Sequence, residues 1–177
     1  MKNFIQGMIL GILLIPVLVT LYVVSGRAPA AATDPPLPFE RLIASLALKN
    51  KIQSEMPTTV PISSNEVTLL TAARVYRENC AMCHGLPQQP APVVTSGMSP
   101  KAPQLFQPGE MVTDDKPGET FWKVKNGIRL TGMPGFASSL TEQEMWLVSL
   151  LLANADKLPS TVQQALAAPP TAAPPAK

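Results

Sequence analysis

Cys80-Ala81-Met82-Cys83-His84 contains both cysteines and the single histidine of this 177-residue chain. Any site that needs a thiolate or an imidazole must be built on these five residues. Upstream, Leu69, Ala72, Ala73 and Tyr76 recur at i, i+3, i+4 and i+7, which predicts an amphipathic helix ending near Asn79. Ser63-Ser64-Asn65-Glu66 precedes it and fits a capping box, with Ser63 as cap and Glu66 reaching back. The two thiols thus leave the end of a helix about one turn apart, and residues three apart on a helix are neighbours on its surface.

Cys-x-x-Cys-His is the attachment signature of a c-type haem. Two thiols at this spacing reach two vinyl groups on one edge of a porphyrin and form thioethers. The adjacent histidine then presents a ring nitrogen to the iron. Three other readings use the same residues. A thioredoxin-like redox pair needs a βαβ setting, and no strand pattern is evident. Structural zinc takes four ligands, whereas cysteine and histidine together supply three. A plain disulfide suits an exported chain, but so close a pair more often does chemistry than stapling. Export, the helical setting and the following histidine all favour haem.

The sequence beyond the motif runs as loop, helix, loop, helix. From Gly85 to Pro108 prolines are frequent and no period is visible, as in a loop wrapped round something. A short helix is expected from Gly118 to Asn126, with Gly127 ending it. The last helix starts at Thr141 as N-cap, with Glu144 three residues on and a Leu140–Met145 staple. It continues through Trp146 to about Ala155.

With no second histidine, the sixth iron ligand is expected from methionine, a soft thioether that raises the reduction potential. Met98, Met111, Met133 and Met145 are the candidates beyond the motif. Met145 falls inside the last helix and reads as core, whereas Met98 and Met111 sit in loops. Met133 is favoured, because Gly132 and Gly135 let backbone approach a flat cofactor closely and Pro134 stiffens the loop.

The chain opens with an uncharged apolar run from Phe4 to Val24, long enough for one helix to cross a bilayer. Ala28-Pro29-Ala30 keeps a cleaved signal peptide open as the rival reading, although such apolar cores are shorter. Both readings export the rest of the chain. The expected organisation is a transmembrane signal-anchor over 1–26 and a Pro/Ala-rich linker over 27–62 that carries a short helix, Phe39 to Ile52. A haem domain over 63–156 and an unstructured Ala/Pro-rich tail over 157–177 complete it. The short helix reads as packed on the domain, with an amphipathic segment lying on the membrane as the alternative.

The totals agree with this reading. Fourteen basic and twelve acidic residues leave +2, which does not suit nucleic-acid binding. From Glu66 to Ala155 seven basic residues face eight acidic ones, so strong electrostatic steering is not implied. Lys101, Lys116, Lys123, Lys125 and Arg129 are candidates for a basic rim round the cofactor, although a solvated surface is the better reading of each taken singly. Aromatic content is 5%, thin for a self-sufficient core and suited to one filled by a porphyrin.

Residues Ser63 to Ala155 resemble the class I cytochrome c family. Ala72-Ala73-Arg74-Val75-Tyr76-Arg77-Glu78-Asn79 is similar to its N-terminal helix, and Leu140-Thr141-Glu142-Gln143-Glu144-Met145-Trp146 to its last. The resemblance implies an all-α fold wrapped round one covalent haem c, here preceded by a single transmembrane helix. It places Pro103, in Ala102-Pro103-Gln104-Leu105, as the carbonyl that orients His84, and Met133, in Thr131-Gly132-Met133-Pro134, as the sixth ligand. It implies a carrier of single electrons rather than an enzyme, with no small-molecule substrate. Its partners would be other redox proteins or membrane complexes on the periplasmic side of the inner membrane. A permanently bound subunit of a respiratory or photosynthetic complex is the alternative, followed by a haem sensor or peroxidase.

Overall fold

A computed structural model describes residues 1–168; residues 169–177, and with them the end of the expected tail, lie outside the described residues. The described part is helical and has no strand. It divides into two compact units, one over residues 1–40 and the other from Arg41 onward.

The first unit is dominated by α1, Lys2–Val24. Within it Phe4–Val24 has a mean hydropathy of 2.6, and the chain buries none of this stretch. That makes it one helix long and apolar enough to cross a membrane. The Ala/Pro-rich stretch behind it is locally organised, because the Asp34 carboxylate accepts the backbone N–H groups of Ala30 and Ala31, each at 2.8 Å.

The second unit begins with α2, Glu40–Glu55, the short helix expected in the linker. Only its C-terminal half packs on the domain. Ile52 is buried, and Glu55 accepts the Trp122 indole N–H at 3.0 Å. Of the four apolar residues of the helix expected to pack on the domain, Ile52 does so while Leu42, Ile43 and Leu46 stay exposed. The reason is geometric: residues four apart share a face, and Leu48 and Ile52 lie on a different one from Leu42 and Leu46.

Three helices carry the core. These are α3, Glu66–Asn79; α5, Pro117–Asn126; and α6, Glu142–Ala153, which packs against both of the others. Ala72 and Ala73 are fully buried in α3, where small side chains let the helices approach closely. Trp146 of α6 stacks on Phe121 of α5, with ring centroids 4.2 Å apart. The capping box of α6 is the expected one: Glu144 N–H donates to Thr141 Oγ1 at 3.2 Å, and the Glu144 carboxylate accepts Thr141 N–H at 2.9 Å. The box of α3 lies two residues later than expected. Asn65 is the cap, pairing with Thr68 at 3.0 and 2.9 Å. Asparagine caps as well as serine does, and the helix starts where the better-placed partner sits.

The expectation of an unstructured segment from residue 157 is also corrected. Ser160–Ala167 form α7, which packs on α3 with Val162 and Leu166 fully buried. Leu158, Val162 and Leu166 recur every four residues, so a single apolar stripe is enough to dock the helix despite its Ala/Pro-rich setting. Arg77 of α3 donates to the Ala165 and Ala168 carbonyls at 3.1 and 2.7 Å, groups left without helical partners at the end of α7.

Candidate functional site

Tyr76 brings the end of α3 and the cysteine motif together. Its hydroxyl donates to the Gly85 carbonyl at 3.0 Å and reaches the His84 carbonyl at 3.3 Å, and its ring meets Phe106 edge-on. Between them Cys80 closes α3, and Ala81–His84 make one further turn, α4. Gly85 follows at φ 69°, a conformation suited to glycine that turns the chain out of the helix.

Neither cysteine is in a disulfide, and both are half-buried. Burial pushes the Cys80 thiol up to about 12, with the neighbouring Cys83 adding to the rise. Such a thiol is a poor match for the low-pKa, exposed cysteine of a redox catalyst.

His84 Nδ1 lies 2.8 Å from the Pro103 carbonyl oxygen. The carbonyl can only accept, so Nδ1 carries the proton and Nε2 keeps its lone pair for a metal. Burial lowers the His84 pKa and the Pro103 bond opposes this; the net direction favours the neutral ring that iron requires.

Two residues that the sequence did not single out hold this arrangement. The Cys83 carbonyl accepts from Thr95 Oγ1 at 3.0 Å and from Gln104 Nε2 at 3.2 Å. Gln104 Nε2 also donates to the Ala102 carbonyl at 3.0 Å, so one buried amide ties the haem-motif turn to the loop that presents Pro103. Thr95 lies in a short 3-10 turn, Val93–Gly97, inside the long proline-rich loop. No period or motif marks either residue, because each acts through a single long-range contact.

Met133 sits in the loop between α5 and α6, half-buried against the hydrophobic core. Thr131 sets its backbone: Met133 N–H donates to Thr131 Oγ1 at 3.1 Å, and the hydroxyl donates to the Ile128 carbonyl at 2.7 Å. Ile128 N–H then donates to the Met133 carbonyl at 3.1 Å. The glycines also let backbone segments of the chain approach one another closely. A Cβ on Gly127, at φ 69°, would stand 2.5 Å from Gly135 N and 2.8 Å from the Met133 carbonyl. One on Gly135 would stand 2.9 Å from the Asn126 backbone. Backbone here meets backbone, closing the base of the loop. A Cβ on Gly132 would strike the methyl group of Met98. Met145 is buried core, as expected.

Of the candidate rim residues, Lys101, Lys116, Lys125 and Arg129 are exposed. Lys123 is engaged instead, paired with Glu119 at 2.8 Å and Asp115 at 3.1 Å. Burial works against its charge, but these two carboxylates hold its pKa above the ordinary lysine value.

The donor set suits a c-type haem: two thiols at the attachment spacing, an imidazole oriented through Nδ1, and loop methionines. Residues 67–150 match the family model described as cytochrome c oxidase, cbb3-type, subunit III. No curated protein matches the chain. A solved chain of the Kuenenia stuttgartiensis reducing HAO-like protein complex is similar at 21% identity and a TM-score of 0.46, over 57% of this chain and 49% of that one. This chain therefore aligns with about half the length of that solved chain. With an all-helical fold, a Cys-x-x-Cys-His turn on its first core helix and the family match over the same segment, residues 67–150 are a class I cytochrome c domain, which carries haem c and transfers electrons.

Proposed function

We propose that the chain is a membrane-anchored c-type cytochrome. It would carry single electrons between redox partners on the periplasmic side of a bacterial inner membrane. The observation that carries this reading is the bond between His84 Nδ1 and the Pro103 carbonyl, which fixes tautomer and ring direction for a metal at Nε2. In this reading Cys80 and Cys83 would hold one haem through two thioethers, and His84 and Met133 would ligate its iron. The chain has no further cysteine pair for a second haem.

Bound in this way, the haem supplies a one-electron iron couple whose potential the axial ligands and burial set. The chain's own residues bind, orient and shield it. Gln104, Thr95 and Tyr76 lock the turn that carries His84, while Thr131, Gly127 and Gly135 lock the loop that carries Met133. With His84 and Met133 both given to the iron, no iron position would be left for a small-molecule substrate, and the reading is of a carrier rather than an enzyme. The apolar α1 supplies the anchor. A fixed subunit of a respiratory complex is the second reading, favoured by the matched family's description as an oxidase subunit. Co-migration of the haem with a large assembly after gentle solubilisation would separate it from a free carrier.

Oxidised and reduced absorption spectra of the purified full chain test the ligand set. The weak near-infrared band of methionine-to-iron charge transfer is expected in the wild type and in Met98→Ala, and absent in Met133→Ala. A band that survives in Met133→Ala would overturn the assignment.

A further inference from the structure

Helix α2 carries two apolar faces with different fates. At about 100° per residue, Leu48 and Ile52 fall on one side. That side is pinned: Ile52 is buried, Glu55 accepts from Trp122, and Gly118 of α5 lies so close to the Pro57 carbonyl that no side chain fits between. Leu42, Ile43 and Leu46 fall on the opposite side and are 54%, 64% and 51% exposed. Three adjacent aliphatic side chains held in solvent on a docked helix mark a surface with an occupant.

We propose that this face of α2 rests in the headgroup region of the bilayer that α1 spans, so that the haem domain is held against the membrane at a set orientation. Two considerations favour lipid over a protein occupant. Residues 25–40 reach at most about 55 Å even when fully extended, so α2 is never far from the membrane. Tethering makes the second contact intramolecular, and a weak interfacial affinity is then sufficient. A second copy of the chain is the poorer occupant, because three half-exposed side chains offer far less than the roughly 800 Å² per partner of a stable protein interface.

The pinned half of α2 gives this contact its consequence. Because Glu55 and Pro57 fasten the end of the helix to α5, seating its free half also fixes which way the haem domain faces. A redox partner in the same bilayer would then meet one presented surface. The inference rests on the anchored reading above.

The full-length haem protein, reconstituted in nanodiscs of phosphatidylcholine and phosphatidylglycerol carrying a photoreactive acyl chain, tests it. Trypsin releases the anchor as residues 3–27, the α2 face as 42–49, and α6 as 130–157. The expected result is lipid adducts on 3–27 and 42–49 and several-fold fewer on 130–157. The 42–49 adducts should fall several-fold in Leu42→Ser/Ile43→Ser/Leu46→Ser with the haem spectrum unchanged. Adducts on 3–27 without any on 42–49 would overturn the proposal while leaving the anchor intact, whether the face is then bare or covered by a second copy. A lack of adducts on 3–27 as well would overturn the anchored reading itself, and this inference with it.

Discussion

Tyr76 Oη donates to the Gly85 carbonyl at 3.0 Å, joining the last turn of α3 to the residue that follows His84. The tyrosine is fully buried, and burial pushes its phenol pKa well above the ordinary value, so it stays a neutral donor. Tyr76→Phe keeps the ring and its edge-on contact with Phe106 while orphaning carbonyls at 84 and 85. A loss of about 1–3 kcal/mol is expected, the size of an unsatisfied buried acceptor. Denaturant unfolding of the haem-loaded protein measures it, and an unchanged midpoint would show that water replaces the hydroxyl.

Gln104 offers a second test, on the same carbonyl framework. Gln104→Leu is close in volume but removes both amide bonds, leaving the Cys83 carbonyl with Thr95 alone. The loop presenting Pro103 should loosen, weakening the bond that orients His84. A second-partner loss of this kind raises ligand disorder before it releases the ligand. The expected signs are a shifted reduction potential and broadened paramagnetic resonances, with the thioether-bound haem retained. An unaltered potential would reduce Gln104 to packing.

Gly127→Ala should do the most damage among single-carbon changes. The added Cβ would stand 2.5 Å from Gly135 N, at a φ of 69° that side chains rarely adopt. Backbone strain of this sort costs about 1–3 kcal/mol, and the steric conflict adds to it. The loop base must open, so the near-infrared methionine band should weaken as stability falls. Gly132→Ala meets only the flexible end of Met98 and is expected to be milder. Reversal of that order would contradict the assignment of Gly127 and Gly135 as the closure of the loop.

How far these features could be read from sequence depended on the range of the interaction behind them. The Cys80 to His84 turn, the Thr141/Glu144 box and the apolar α1 run are local patterns, and each stands where the residues place it. The α3 cap slipped from Ser63 to Asn65 because several capping residues in a row leave the start of a helix ambiguous. Helix α7 was missed because its stripe of Leu158, Val162 and Leu166 is short and its surroundings are rich in alanine and proline. The family resemblance pointed to Pro103 and took in its neighbour Gln104 without a role, and Thr95 carries no sequence signal. Their contacts to Cys83 cross 12 and 21 residues of irregular loop.

Acid should weaken the start of α6. Thr141 N–H and its hydroxyl both bond the Glu144 carboxylate, with the backbone bond the larger cause, and they lower its pKa below the ordinary value. A carboxylate with a depressed folded-state pKa adds stability above its unfolded pKa and loses it as pH falls through the folded one. The window therefore opens at the bottom of the ordinary glutamate range and extends below it. Glu144→Gln keeps an acceptor for the capping box but cannot titrate, so its acid unfolding curve should be flatter than wild type over that window. Parallel curves would place the acid sensitivity elsewhere.

Helix α7 is expected to be a working part of the domain rather than an appendage. Leu166 is fully buried and sits at the end that Arg77 clasps through the Ala165 and Ala168 carbonyls. Leu166→Ala should cost about 2–5 kcal/mol, the range for deleting a buried leucine side chain, with the larger values where the site cannot collapse. Arg77→Met removes the clasp but keeps most of the aliphatic stem, and should cost less. Thermal melts followed at the haem absorption and by helix content would separate two behaviours. Coincident transitions shifted downward together mean that α7 shares the cooperative core with α3. An early loss of helix with the haem transition unmoved would mean that α7 unfolds on its own and that its packing on α3 does not support the haem site.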